Sequence, residues 1–326
     1  MIKSQLSDIS NPIKAELECF NDLYKKSLKS SVGLVDLVTK FILKQKGKKI
    51  RPLLVLLSAK VAGGVNERTY RGAILVELLH TATLVHDDVV DNADKRRGLP
   101  SINAIWKNKV AVLMGDYLLS RGLMIAVDGH DFDFLGIVTD AVKRMSEGEL
   151  LQINKTRKLD IDEATYFRII SDKTASLLAT CCEIGTVSAT DNNELHLSMR
   201  KFGENIGIAF QIRDDILDYV GTSSIIGKPL GGDIKEKKIT LPLIYSLKQA
   251  TESERSTILK MIKKGSKNDD VRKVIDFVKK YKGIDYAVET AHKYSEMAKE
   301  QLKQFPDSEA KLALLALVDF IIDRKN

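Results

Sequence analysis

Two acidic triplets share the spacing D-D-x-x-D: Asp87, Asp88 and Asp91 in HDDVVDNADKRRG (86–98), and Asp214, Asp215 and Asp218 in QIRDDILDYV. They lie over a hundred residues apart, each in a strongly apolar stretch, LVELLHTATLVHDDVVD and FGENIGIAFQIRDDILDYV. Residues four apart share a helix face, which pairs Asp87 with Asp91 and Asp214 with Asp218. Like charges at that spacing repel by a few tenths of a kcal/mol, and desolvating them costs far more unless a cation compensates. All-oxygen ligands favour a hard ion, Mg²⁺ or Mn²⁺. Magnesium takes few protein carboxylates and fills its shell with water and substrate phosphate. The spacing therefore predicts two facing metal–carboxylate clusters that grip a phosphorylated ligand.

The rest of the chain reads as helix. Apolar residues recur every three or four positions in 13–28, 33–43, 52–62, 67–90, 102–127, 134–153, 163–189, 194–220, 239–250, 269–281 and 285–303. No stretch alternates at period two, and Gly63-Gly64, Gly98-Leu99-Pro100 and the glycines around 227–232 read as turns. Helices 67–90 and 194–220 are apolar on most faces, which places them centrally. Nothing divides the 326 residues, so the expectation is a single all-α domain, a large helical bundle. No run of eighteen apolar residues predicts a membrane span, and MIKSQLSDISNPIK lacks a signal-peptide core. Cys19, Cys181 and Cys182 fit neither a disulfide framework nor a zinc site. A cytoplasmic protein is expected. The net charge of +7 suits an anionic partner, although the lysines of 256–282 read as a solvated face.

Several basic and polar residues accompany the triplets. Arg96 and Arg97 follow Asp91, where a loop can fold them over phosphate; guanidinium matches phosphate oxygens bidentately. GKKIRP (47–52) sets Lys48, Lys49 and Arg51 at a helix start. The helix dipole disfavours cations there, unless an anion is shared between them and the free N–H groups; an exposed basic turn is the alternative. His80 lies two turns before Asp87, and His86 adjoins the triplet; either also fits a core role. Lys173-Thr174 opens an apolar helix, Gln211 precedes Asp214 by three, and Lys228 and Lys238 follow across a glycine-rich loop. Cations there would neutralise a leaving diphosphate. No H-E-x-x-H, Ser-His-Asp or Cys-His arrangement is present, so metal-assisted displacement is favoured over nucleophilic catalysis.

With GKKIRP, ELLHTATLVHDDVVDNADKRRG, AVLMGDYLLSR, GELLQ, KTASLLA, FGENIGIAFQIRDDILDYVG and GKPLGGDIKEKKITLPLIY in that order, the chain resembles the trans-isoprenyl diphosphate synthases, the polyprenyl synthetase family. The resemblance covers about residues 40–250, followed by C-terminal helices over 252–324; Lys49 stands where arginine is common. It implies a usually dimeric bundle with both motifs at the mouth of a central cavity. It makes Asp87, Asp91 and Asp214 ligands of a trinuclear Mg²⁺ cluster, supported by Asp88, Asp215 and Asp218. Arg96, Lys173, Thr174, Gln211, Lys228 and Lys238 would hold an allylic diphosphate, and Lys48, Arg51, His80 and Arg97 isopentenyl diphosphate. Ionisation of the allylic diphosphate, attack by the isopentenyl double bond and loss of a proton would lengthen the chain by one isoprene unit.

In the resembled family a bulky aromatic four or five residues before the first aspartate closes the product tunnel. Here Thr83 and Ala82 stand there, with Leu79 deeper, and Leu118, Leu119 and Met124 as possible floor residues. The expected product is longer than geranylgeranyl, in the quinone-tail range, with geranylgeranyl or farnesyl diphosphate as the alternative. A terpene cyclase would lack the second aspartate triplet and the isopentenyl site, and a non-catalytic subunit would lack one or both motifs. A nucleic-acid binder would leave six aspartates unexplained. The expected partners are thus the two diphosphates and a second copy of the chain, with no nucleic acid and at most a transient membrane contact for product release.

Overall fold

Asn66 accepts a hydrogen bond from Thr69 N and Thr69 Oγ1 accepts one from Asn66 N, a reciprocal cap that starts the helix ending in the first aspartate motif. Ser101 and Asp162 cap later helices through the amides of Ala104 and Thr165. The computed structural model describes residues 6–45, 47–96, 98–220, 231–265 and 268–323. Its helices are α1 (Leu6–Ser10), α2 (Lys14–Ser27), α3 (Gly33–Lys44), α4 (Ile50–Ala62), α5 (Glu67–Val90), α6 (Ile102–Asp128), α7 (Phe132–Lys158), α8 (Glu163–Ile170), α9 (Ser176–Val187) and α10 (Asn193–Val220). There follow α11 (Gly232–Lys235), α12 (Leu241–Gln249), α13 (Glu252–Lys264), α14 (Asn268–Lys280), α15 (Gly283–Gln301) and α16 (Glu309–Asp323). The all-α expectation holds, and the main helices fall close to their predicted bounds.

Two local features depart from the periodicity. The stretch 163–189, expected as one helix, contains a π-helical turn at Ser171–Ala175 between α8 and α9. Around Gly98, which adopts φ 79°, strands β1 (Lys95–Arg96) and β2 (Leu99–Pro100) pair antiparallel with Arg96 opposite Leu99. Two residues are too few to show alternation.

The predicted central helices α5 and α10 are joined in the core by α4 and α9. Pro52 through Ala59 of α4 and Ser176 through Cys182 of α9 are all buried. α9 reaches both neighbours through close backbone approach. A Cβ at Gly185 would stand 2.3 Å from Val55 O, and one at Gly203 of α10 would stand 2.6 Å from Leu178 O. Larger side chains would push these helices apart. α10 runs through two apolar clusters: Met199, Phe202 and Ile206 belong to one shared with α4, α5, α6 and α16, while Ile208, Ile212 and Ile216 belong to one shared with α8, α12, α14 and α15. At the start of α5, Arg68 and Arg71 bind Asp131, only 3% exposed, at Nε–O distances of 2.9 and 2.6 Å. This anchors α5 at the end opposite its aspartates.

Among the described residues one helix, α6, is long and apolar enough by composition to cross a membrane, although charged residues interrupt its apolar run. Its sides differ. Ala111, Met114 and Leu118 are buried, whereas Val112, Leu113, Met124 and Val127 are exposed.

Candidate active site

α5 and α10 each end on their aspartate motif, so both triplets stand at helix C-termini where the apolar face gives way to loops. In the first motif Asp87 and Asp91 reach solvent while Asp88 is buried at 4%. Arg96, carried by β1, donates from Nε (2.8 Å) and Nη2 to Asp88 Oδ1. The arginine expected to wait for phosphate thus rests on a buried carboxylate. Arg97 lies outside the described residues.

Asp88 and Arg96 border a cavity of about 470 Å³ whose walls include Lys48, Arg51, His80, Thr81, Leu84 and Phe210. Of the four residues expected to hold isopentenyl diphosphate, Lys48, Arg51 and His80 line it, with His80 7% exposed, and the fourth is Arg97. Lys49, at the start of α4, takes a left-handed conformation (φ 48°) and donates to Asn21. Sequence reasoning missed Glu77, which also lines the cavity; its signal was its position one turn before His80.

The second motif uses its aspartates unequally. Asp214 is exposed. Asp215, 5% exposed, accepts hydrogen bonds from Tyr166 Oη (2.7 Å) and Gln211 Nε2 (2.9 Å). Asp218 accepts from the amides of Gly232 (2.9 Å) and Asp233 (3.1 Å), capping the start of α11. Thr174 Oγ1 donates to Gln211 Oε1 at 2.9 Å, and Lys173 pairs with Glu149 and reaches Gln152 Oε1. A cavity of about 120 Å³ gathers Gln152, Tyr166, Lys173, Thr174, Gln211, Asp215, Asp233 and Lys238. Lys238 is ion-paired with Glu236 at 2.6 Å. Tyr166 carried no signal in the sequence, being one tyrosine in an apolar helix. Lys228 lies outside the described residues.

Electrostatics link the two motifs. Partial desolvation, with Glu149 and Asp91, raises Asp87 above the ordinary carboxylate range against Lys173 and Arg96, although water reaches its carboxylate. Burial opposes the charge of Lys238, but Glu236, Asp233 and Asp91 outweigh it and raise its pKa. Asp233 in turn feels Asp218 and Asp214 and, through burial first, is pushed up to about 6. Lys238 thus feels Asp91 of the first motif and lines the cavity that holds Asp215 of the second.

The donor set fits a hard divalent cation: all-oxygen, with Asp87, Asp91 and Asp214 accessible and the buried members already bonded. Among the described residues no three acidic, imidazole or thiol groups are gathered tightly enough to cage an ion unaided. The facing clusters predicted from spacing are thus open constellations rather than closed cages. An ion held there would need oxygen from a ligand and water.

The chain-length positions occupy the α5–α6 side. Leu79, Ala82 and Leu118 are buried at 2% exposure or less, Thr83 and Leu119 are half-buried, and Thr83 Oγ1 donates to His80 O. Met124 is a correction: it is 48% exposed, about 240° around α6 from Leu118, so it cannot floor a tunnel within one chain.

The buried Asp215 makes stability depend on pH. Burial first, then Asp233 and Asp214, pushes its pKa up to about 8 against the Tyr166 and Gln211 hydrogen bonds. An unfolded aspartate titrates near 3.9, so the folded chain holds the proton more tightly. This contribution is full below about pH 4 and is lost as pH rises through about 8. In chelator, the Tm difference between Asp215→Asn and the parent chain is expected to grow in the variant's favour from pH 6 to pH 9. A constant difference would show that Asp215 ionises without penalty.

Comparison with known proteins agrees with this geometry. The polyprenyl synthetase family profile matches residues 33–278. Octaprenyl diphosphate synthase of Haemophilus influenzae is 31% identical over 319 residues, covering 98% of this chain and 97% of its own. Geranylgeranyl diphosphate synthase of Saccharolobus solfataricus is 35% identical over 289 residues, 86% of this chain and 87% of its own. The crystal structure of a Caulobacter crescentus polyprenyl synthase, complexed with calcium and isoprenyl diphosphate, superposes with a TM-score of 0.91 at 31% identity over the whole of both chains. With a family profile matched over residues 33–278 and relatives alike along nearly the entire chain, this protein belongs to the polyprenyl synthetase family and is a trans-prenyl diphosphate synthase.

Proposed function

We propose that the chain condenses isopentenyl diphosphate with an allylic diphosphate in the presence of Mg²⁺, as one catalytic domain spanning residues 1–326, and makes a product longer than geranylgeranyl diphosphate. The observation that carries this reading is the division of basic residues between two cavities. Lys48, Arg51 and His80 line the larger, beside Arg96; Lys173, Thr174, Gln211 and Lys238 line the smaller. The first set holds isopentenyl diphosphate and the second, with Arg96, the allylic diphosphate. Asp87, Asp91 and Asp214 hold the cations, with Asp88, Asp215 and Asp218 behind them. The calcium and isoprenyl diphosphate of the Caulobacter structure support that assignment. Bound divalent ions supply charge neutralisation for the leaving diphosphate.

Around that charge the chain's own residues do the rest. Lys173 and Lys238 stabilise the negative charge that develops as the allylic carbon–oxygen bond lengthens. The apolar wall of α5 keeps water from the allylic cation. Lys48, Arg51 and His80 hold isopentenyl diphosphate with its double bond towards that cation. The departing diphosphate takes the proton.

Small residues at Ala82 and Thr83 favour a long product. The exposed Val112, Leu113, Met124 and Val127 of α6 suit a partner copy, which makes a homodimer the proposed assembly. The free cysteines suit a reducing cytoplasm, and a long polyprenyl product calls for transient membrane contact on release.

Chromatography of products from farnesyl diphosphate and labelled isopentenyl diphosphate tests the length assignment. A series reaching beyond geranylgeranyl is expected, and arrest at geranylgeranyl would overturn it. Arg51→Ala should raise the apparent KM for isopentenyl diphosphate, and Lys173→Ala that for the allylic substrate. Each shift is expected to be about tenfold or more, the worth of one charged hydrogen bond. Equal effects on both substrates would refute the division.

A further inference from the structure

Lys173 and Thr174 sit in the π turn Ser171–Ala175, not on a regular helix. Such a turn carries one residue more than α-helical geometry accommodates and occurs often at functional sites. It persists here because packing and charge hold it from two sides. A Cβ at Gly148 of α7 would stand 3.0 Å from both Asp172 Cβ and Lys173 N, and one at Gly207 of α10 would stand 2.5 Å from Ala175 Cα. Both neighbours therefore press on the turn as backbone.

Arg144 of α7 ties the turn to its surroundings. Its Nε donates to Asp172 Oδ1 at 2.9 Å, and its Nη2 donates to Ser171 Oγ at 2.9 Å and to Glu204 Oε1 of α10 at 2.8 Å. Ser171 Oγ also donates to Glu204 Oε1 at 2.7 Å. One guanidinium thus bonds two successive residues of the turn and the helix behind it. The two bonded residues immediately precede Lys173. Arg144 lines neither cavity.

We propose that Arg144 is a positioning residue for prenyl transfer: by locking Ser171 and Asp172 to α7 and α10, it fixes the backbone that presents Lys173 and Thr174 to the allylic diphosphate. This rests on the assignment of Lys173 and Thr174 to that substrate. A lysine at position 144 keeps the charge but cannot span three oxygens with a planar fork. The lock acts on one substrate, because the basic residues of the isopentenyl cavity, Lys48, Arg51 and His80, come from α4, the segment before it and α5, none of which bonds Arg144.

The test is steady-state kinetics of the full chain with Mg²⁺ below the melting temperature, on Arg144→Lys, Gly148→Ala and Lys173→Ala. Gly148→Ala displaces the turn without removing a charge, so it decides the matter if Arg144→Lys does not fold. Both are expected to raise the KM for the allylic diphosphate about tenfold, the scale of one misplaced charged contact, and that for isopentenyl diphosphate less than about twofold. Unchanged constants, or an equal rise in both, would overturn the proposal. If Lys173→Ala shifts the allylic KM and the other two do not, the lock fails while the assignment stands. If Lys173→Ala has no effect on the allylic KM, the assignment falls and the proposal with it.

Discussion

Replacing Asp87 or Asp214 by alanine is expected to lower turnover by about two to three powers of ten or more, the loss seen when a key electrostatic group is removed from an active site. These positions are informative because both side chains are exposed. Asp88→Ala would strand Arg96, and Asp215→Ala would strand the buried hydroxyl of Tyr166, so both variants mix catalysis with stability. Asp218→Ala would uncap α11. Circular dichroism of Asp87→Ala and Asp214→Ala should match the parent chain. Near-normal turnover of either variant at saturating Mg²⁺ would remove that aspartate from the metal-binding set.

Ala82→Phe is expected to shorten the product towards farnesyl or geranylgeranyl diphosphate while leaving the first condensation active. Ala82 lies five residues before Asp87, about 7.5 Å along the helix axis. It is 2% exposed in the core that also buries Leu118 of α6. A ring added there costs about 1–3 kcal/mol of overpacking. A growing tail that must displace it meets a barrier worth about one to two powers of ten per step. Part of the overpacking will appear as a lower Tm. Thr83→Phe, at a half-buried site one residue nearer the aspartates, gives a second reading with less strain. An unaltered product distribution in a folded, active Ala82→Phe variant would mean that the tail takes another route.

Much of the fold was legible because burial dictates period. α5 and α10 show their core faces at three- and four-residue spacing, and the aspartates interrupt those faces where the helices emerge. Other features left no such trace. The π turn adds a residue at the polar stretch Ser171-Asp172-Lys173-Thr174, where no apolar position registers the shift in phase. Tyr166 finds Asp215 across 49 residues of chain, and nothing local to either announces the pairing. Met124 was misplaced because α6 is apolar nearly all round, so its pattern cannot tell the side facing α5 from the side facing outward. The hairpin that returns Arg96 to Asp88 is too short to have a period. The chemistry of the site was legible from residue type and spacing; its existing bonds were not, because they depend on contacts between distant segments.

Those bonds change what binding a diphosphate means. Arg96 rests on Asp88, Lys173 on Glu149 and Lys238 on Glu236. On the proposed assignment each of these cations would meet an incoming phosphate with a carboxylate already in hand, so the ligand would trade places with an internal anion and not settle on a bare charge. A site built on exchange gives up affinity, since every new contact dissolves an old one. It also keeps stray anions out between turnovers and returns to its resting pairs when diphosphate leaves. Under the proposed repeated lengthening of one chain, ready release of diphosphate after each addition would serve the reaction better than tight capture.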